Sequence, residues 1–164
     1  MSTHKKIRKL TTLALLTAFI TITGAFKIPG IFPGTEFQLS APIAVAICGI
    51  FGVWNYLVAG VLSSLLGLIL GSQNLLNVFI AMIFRIVVAL VFLGLGKSKL
   101  FYIFSGPLGT LVARLSLSLF LGKAALPLII AAAAGMIYTS IFSLFLGNIL
   151  EKISSSIFPQ SEKV

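Results

Sequence analysis

Apolar residues run almost unbroken along this chain, and only a few short polar segments interrupt them. The apolar runs reach about 17 residues and more, the length at which an α-helix crosses the hydrocarbon core of a bilayer. A segment with two prolines and two glycines, 27–40, separates the first run from the rest and is not expected to be helical. The clearly bounded spans predicted from this pattern are 10–26, 75–95, 100–121 and 124–150.

The stretch 41–70 is also apolar and carries no charge, but its length fits two different arrangements. Thirty helical residues extend about 45 Å at 1.5 Å per residue, whereas the hydrocarbon core is about 30 Å thick. The stretch is therefore either one strongly tilted helix or two short helices. Gly49 and Gly52, followed by Trp54, Asn55 and Tyr56, mark a plausible turn with aromatic residues at a membrane interface.

The distribution of basic residues decides between these arrangements. With six spans, eight basic residues lie on one side of the membrane and only Lys27 and Lys123 on the other. With five spans the split becomes five to five. Cytoplasmic loops carry an excess of Lys and Arg, so six spans with both termini in the cytoplasm are favoured.

Composition supports a membrane protein of a single domain. The 164 residues are 59% apolar and 9% charged, with a mean hydropathy of +1.15; soluble domains are about 45–50% apolar. We expect an all-α integral membrane domain over 1–164, with a basic cytoplasmic tail at 1–9, a compact six-helix bundle at 10–150 and a second cytoplasmic tail at 151–164. The net charge of +9 does not indicate nucleic-acid binding, because the basic residues sit at the ends of apolar runs.

Two arginines stand where charge is costly. Arg85 and Arg114 lie near the middle of predicted spans, where an arginine costs roughly 2.5–3.5 kcal/mol on the insertion scale. The chain has no Asp, and its three Glu lie outside the spans. Either the arginines bond to helix carbonyls or snorkel to the interface, or they line a polar pocket for an anionic or carboxylate-bearing ligand.

The residues around Arg85 favour a pocket. Asn74, Asn77, Ala81 and Arg85 follow one another at spacings of three and four and so share one helical face. They predict an amide-lined path from the outer surface to a buried arginine. Further candidate ligand contacts are Tyr138 at a similar depth and, in the outer segment 27–40, Glu36 and Phe37, although that segment also fits a plain interfacial loop.

Enzyme motifs are absent from the sequence. It has no phosphate-binding loop and no HExxH motif, and its one histidine, His4, precedes the first span. We therefore expect no enzymatic activity, no metal site and no cofactor. The spans also lack the Asp, Glu or His that proton-coupled carriers use as a relay. Any energy for transport is then expected from a partner.

These features together resemble a known family, the substrate-binding S components of energy-coupling-factor (ECF) transporters. The motif LALLTAF, with Ala14 and Ala18, is similar to the AxxxA motif with which S components dock onto the transmembrane T component. The segment FPGTEFQLSAPIAVAICGIFG resembles the first outer loop of the family running into its second helix. The hairpin through FGVWNYLVAGVLSSLLG also looks like the family.

The resemblance implies capture of a vitamin, amino acid or similar micronutrient near the outer face of a prokaryotic plasma membrane. It also implies a T component and two ATPase subunits as partners. The stretches NYLVAGVLSS and LGKAALPLIIAAAAG resemble the tryptophan-transport-like S components more distantly. An oligomeric small carrier or channel that works without partners is the alternative.

Overall fold

A computed structural model of the chain describes residues 3–29, 36–122 and 125–157. Each of the five helices in these ranges contains an apolar stretch long enough to cross a bilayer. The described part of the chain is thus helical apart from two short strands, which agrees with the predicted all-α, multi-pass membrane protein. The number of spans stays a prediction. The elements in chain order are α1 (Thr3–Ala25), β1 (Lys27–Pro29), β2 (Glu36–Gln38), α2 (Ser40–Ile69), α3 (Leu75–Leu95), α4 (Lys99–Leu121) and α5 (Ala125–Ile157).

Helix bounds match the prediction best where the chain supplies its own caps. The helix α3 has the predicted bounds of 75–95; Asn74 caps its start and Gly96 ends it. The helix α1 instead begins at Thr3 and includes the basic tail, and α5 continues past residue 150 to Ile157. Hydropathy marks where the apolar residues end. Solvated Lys and Glu residues are good helix formers and let a helix continue beyond that point.

The segment after α1 forms a small antiparallel hairpin. Its register pairs Lys27 with Gln38, Ile28 with Phe37, and Pro29 with Glu36. The sequence predicts a non-helical segment here but no strands. Residues 30–35 between the two strands lie outside the described residues.

The long helix α2 is broken at Gly52. This residue has φ 81° and ψ 166°, which is non-helical backbone inside an otherwise helical segment. Only glycine adopts such a conformation without steric cost. The break falls at one of the two glycines that the sequence marks as a turn, and it divides α2 into the halves 40–51 and 53–69.

Contacts at the two ends of α2 show that the chain reverses direction at this break. A Cβ placed on Gly24, at the end of α1, would lie 3.6 Å from Ser40 Oγ and 3.8 Å from Gln73 Nε2. A Cβ on Gly67 would lie 3.0 Å from the same Gln73 side chain. Ser40 and Gly67 therefore lie close together, whereas a straight helix would separate them by about 40 Å.

The bundle thus has two distinct ends. We call the end that carries β1, β2 and Gln73 the hairpin end. The opposite end, which carries Lys97 and the basic first turns of α1, is the basic end. There Lys97 Nζ lies 2.7 Å from Glu151 Oε1 and joins the α3–α4 connection to α5.

An interhelix hydrogen bond compensates for a proline in the middle of α4. Pro107 has no N–H, so it leaves the carbonyl of Ile103 without its usual donor four residues along. Ser140 of α5 lies with its Oγ 2.8 Å from that carbonyl oxygen and 3.1 Å from the carbonyl of Met136. In lipid, where no water can replace the donor, this contact stabilises the α4–α5 pair.

Candidate functional site

The buried guanidinium of Arg85 is the centre of the candidate site. Arg85 extends from α3 toward the second half of α2 and is only 6% exposed. Its Nη1 donates a hydrogen bond of 2.7 Å to Ser64 Oγ and lies 3.8 Å from Met82 Sδ. Both partners are uncharged, so the positive charge is buried without neutralisation by either of them.

A groove of small residues on α2 accommodates the Arg85 side chain. Gly60 lies directly beneath it, and a Cβ at that position would collide with the Nε and Cδ atoms of Arg85. Tyr56, one turn before Gly60, is fully buried. Tyr56, Gly60 and Ser64 follow at spacings of four, so they present one face to α3. We call this set, with Arg85, the arginine cluster.

The arginine cluster contains no carboxylate among the described residues. Glu151, whose side chain is 52% exposed, pairs with Lys97 at the basic end. An arginine offers five N–H donors, and within the described chain Arg85 uses one on an oxygen and directs the same nitrogen toward sulfur. The site can therefore bind an anion without first breaking an internal ion pair.

The predicted amide path is present on α3, but its first member has a local role as well. The Oδ1 of Asn74 accepts a hydrogen bond of 2.8 Å from the backbone N–H of Asn77, which makes Asn74 the N-cap of α3. Asn77 is half-buried, one turn above Ala81 and two above Arg85. Gln73 lies at the hairpin end, with its Oε1 buried and without a hydrogen-bond partner among the described residues.

Arg114 is not joined to the arginine cluster by a hydrogen bond. It is half-buried on α4 and makes no hydrogen bond or ion pair with another described residue. On the same helix, Gly109 packs against Phe84, the neighbour of Arg85. Arg114 lies five residues further along α4, about 7–8 Å nearer the hairpin end. The two arginines therefore occupy different depths.

The described contacts do not join Tyr138, Glu36 or Phe37 to the arginine cluster. Tyr138 stacks on Phe142 with ring centroids 4.5 Å apart, and its hydroxyl is buried without a partner among the described residues. Glu36 and Phe37 belong to β2, and their side chains lie outside what the structure describes. Binding roles for these three residues stay predictions.

The predicted partner surface is accessible on α1. Ala14 and Ala18 are both exposed, whereas Leu16 and Ile20 of the same helix are buried against the bundle. Large apolar side chains flank the two alanines, among them Leu15, which is 66% exposed. Two small residues one turn apart form a shallow depression to which another helix can pack closely.

The sequence did not identify the α2 side of the arginine cluster. A small-residue stripe is recognisable on this helix, but Ser64, Gly60 and Tyr56 acquire their role only because the reversal at Gly52 turns them toward Arg85. The signal in the sequence is a spacing of four between Tyr56, Gly60 and Ser64. That spacing alone does not say which helix lies opposite.

Comparison with known proteins finds a substantial relative. Over 129 residues the chain is 48% identical to Protein BioX of Lysinibacillus sphaericus. The aligned region covers 79% of this chain and 78% of the relative. No protein-family model and no solved structure matches the chain.

Proposed function

The chain belongs to the family of Protein BioX, and we propose that it is a substrate-capture (S) subunit of an ECF-type transporter. In this proposal it holds a small carboxylate-bearing nutrient, a vitamin or an amino acid, within the bundle. Partner ATPases supply the energy, and the chain itself catalyses no reaction. Its location is a prokaryotic plasma membrane, with both termini in the cytoplasm.

The observation that carries the proposal is the unneutralised charge of Arg85. A buried charge without a counterion is strongly unfavourable in a low-dielectric interior, and Ser64 supplies only a neutral acceptor. A ligand carboxylate would satisfy the guanidinium through two parallel hydrogen bonds. The cost of burying Arg85 is then offset when the ligand binds, which favours a site built for an anion.

The reversal at Gly52 supports the six-span topology of this class. The two halves of α2 run in opposite directions, so the chain passes back to the hairpin end before α3 begins. In this proposal the two halves of α2, with α1, α3, α4 and α5, make up the six passes that the asymmetry of the basic residues favours. The hairpin end then faces outward, and ligand enters past Gln73, Asn74 and Asn77.

Two finer parts of the proposal concern the ligand and the partners. The distant resemblance to tryptophan-transport-like S components keeps an amino acid among the candidate ligands, and biotin is a suitable vitamin probe because it carries a single carboxylate. The T component docks on the exposed face of α1 around Ala14 and Ala18. Glu36, Phe37, Arg114 and Tyr138 contribute to the ligand site or its outer closure.

A reconstitution experiment tests the function as a whole. Purified protein in liposomes should bind its ligand but transport it only when a T component and ATPases are present with ATP. Uptake by the chain alone would instead establish the self-sufficient carrier. Ala14→Trp and Ala18→Trp should abolish co-purification with the T component while ligand binding is retained. Leu90→Trp, on the exposed face of α3, is the matched control and should leave docking unchanged.

A further inference from the structure

A groove of small residues on α2 continues past the arginine cluster toward the hairpin end. Gly60, Ser63 and Gly67 follow at spacings of three and four on the second half of α2, so they share one face. All three are buried. We call this face the α2 groove. Two long side chains from outside the helix, those of Arg85 and Gln73, lie across it.

The Arg85 side chain enters the α2 groove from α3 and points toward the hairpin end. Its Cδ and Nε atoms lie over Gly60, and its Nη1 reaches Ser64, one turn further along α2. This direction is expected, because helical side chains lean toward the N-terminus of their own helix and α3 begins at the hairpin end. The guanidinium therefore lies at the end of the side chain that is nearest Gln73.

The Gln73 side chain lies over the next turn of the same groove. A Cβ on Gly67 would be 3.0 Å from both Cγ and Cδ of Gln73 and 3.3 Å from its Nε2. The backbone N–H of Gln73 donates a hydrogen bond of 3.0 Å to the carbonyl of Gly67, which holds the residue there. Gly67 follows Ser64 by three residues, or about 4.5 Å along the helix. The amide of Gln73 and the guanidinium of Arg85 therefore lie about one helical turn apart on one surface.

Two buried oxygen atoms at this end of the groove have unused hydrogen-bonding capacity. The Oε1 atom of Gln73 is buried, Ser63 is 1% exposed, and neither Gln73 Oε1 nor Ser63 Oγ has a hydrogen-bond partner in the described ranges. Native proteins leave few such atoms, because an unsatisfied buried polar group is costly. A ligand N–H would satisfy either oxygen, whereas an ionised carboxylate would not, since it has no donor.

We propose that Gln73, assisted by Ser63, determines which carboxylates the protein accepts. In this role Gln73 Oε1 accepts a hydrogen bond from a ligand N–H, about one helical turn from the carboxylate that Arg85 holds. The preferred ligand is then a carboxylate with an amide, urea or ring N–H group about 5 Å away. A purely aliphatic carboxylate leaves Gln73 Oε1 unsatisfied and binds more weakly. This inference rests on the proposed capture of a carboxylate by Arg85.

Ligand-dependent shifts in Tm measure this preference with two defined probes. Full-length protein in detergent is titrated with 4-ureidobutyrate, which carries urea N–H groups, and with its hydrocarbon isostere 6-methylheptanoate. Gln73→Met keeps the length of the side chain but removes the amide. It should weaken binding of 4-ureidobutyrate about tenfold and leave binding of 6-methylheptanoate unchanged. Asn55→Leu removes another half-buried amide, near the break in α2, and is the matched control that should alter neither affinity.

The inference is overturned if Gln73→Met weakens both probes equally or neither of them. It is also overturned if the wild type binds only 6-methylheptanoate, or binds neither probe. Carboxylate capture has a separate measurement, the loss of a co-purified carboxylate in Arg85→Gln. The proposed function therefore stands or falls independently of the role of Gln73.

A measurement without ligand tests whether Gln73 lies beside Arg85. Gln73→Glu places a carboxylate on a side chain of the same length, so it should pair with the guanidinium and raise Tm. The gain should disappear in the double variant Gln73→Glu/Arg85→Gln. Asn55→Asp adds a carboxylate away from the groove and should not raise Tm. A Tm that Gln73→Glu lowers equally with and without Arg85 would show that the two side chains do not face each other, and would overturn the inference.

Discussion

Arg85 crosses α2 directly over Gly60, and a Cβ added at position 60 would lie only 2.6 Å from Arg85 Cδ. The absence of a side chain at Gly60 therefore determines where the buried guanidinium can lie. It also determines whether Arg85 reaches its hydrogen-bond partner Ser64, which lies on α2 one turn after Gly60.

Gly60→Ala should therefore displace Arg85 and break its bond to Ser64. Loss of a buried, charge-assisted hydrogen bond is expected to cost about 1.5–3 kcal/mol, measured as a lower free energy of unfolding in detergent. Gly94→Ala is the matched control, because nothing lies within 4 Å of the added Cβ. That variant should be neutral or more stable by up to about 1 kcal/mol. Equal stability of the two variants would show that the Arg85 side chain can adopt another conformation without loss of stability.

The cap at the start of α3 allows the two roles of Asn74 to be separated. Asn74→Ala should lower the free energy of unfolding by about 1 kcal/mol, because the N–H of Asn77 loses its acceptor. Asn74→Asp keeps a capping oxygen and should retain wild-type stability. If Asn74 also contacts ligand, Asn74→Asp will weaken binding of a carboxylate through charge repulsion. Wild-type affinity in that variant would restrict Asn74 to capping.

The proline of α4 and the serine of α5 should be energetically coupled. Ser140→Ala removes the donor near the carbonyl of Ile103 and should cost about 1 kcal/mol. In a Pro107→Ala background the restored N–H of residue 107 can donate to that carbonyl instead. Ser140→Ala should then cost much less. A thermodynamic double-mutant cycle measures this difference, and additive effects would mean that the Ser140 contact does not compensate for the proline.

The reversal at Gly52 predicts which surfaces face each side of the membrane. Trp54 and Leu75 are both highly exposed, Trp54 beside the break and Leu75 at the hairpin end. In a Cys48→Ala background, Leu75→Cys should react with an impermeant maleimide added to intact cells. Trp54→Cys should react only after the cells are opened. Labelling of both from the same side would be incompatible with six passes.

The sequence was most informative where one segment determines its own structure. The bounds of α3 follow from its cap and its apolar run, and the burial of Arg85 follows from its position within that run. At 41–70 the sequence offers two glycines for one turn. The structure uses Gly52 for the reversal, while Gly49 stays helical and accommodates Tyr102. Residue type alone does not distinguish these two uses of glycine.

The sequence was least informative about which helices face each other. The periodicity of α3 places Asn77 and Arg85 on one face but does not reveal that Ser64 and Gly60 lie opposite. The buried hydroxyl groups of these helices are equally inconspicuous, because a single Ser or Tyr is common in a membrane helix. Their shared burial results from the packing of α2, α4 and α5. Such contacts depend on tertiary structure, so short-range patterns do not encode them.

The most direct test of carboxylate capture is mass spectrometry of small molecules released from the gently purified protein. The wild-type protein and Arg85→Gln are purified side by side, and the fold of the variant is checked by its Tm. The account predicts a carboxylate-bearing compound in stoichiometric amount with the wild type, and loss of most of it in the variant. An uncharged compound, or equal occupancy in a folded Arg85→Gln protein, would contradict the assignment of Arg85 as the anion-binding group.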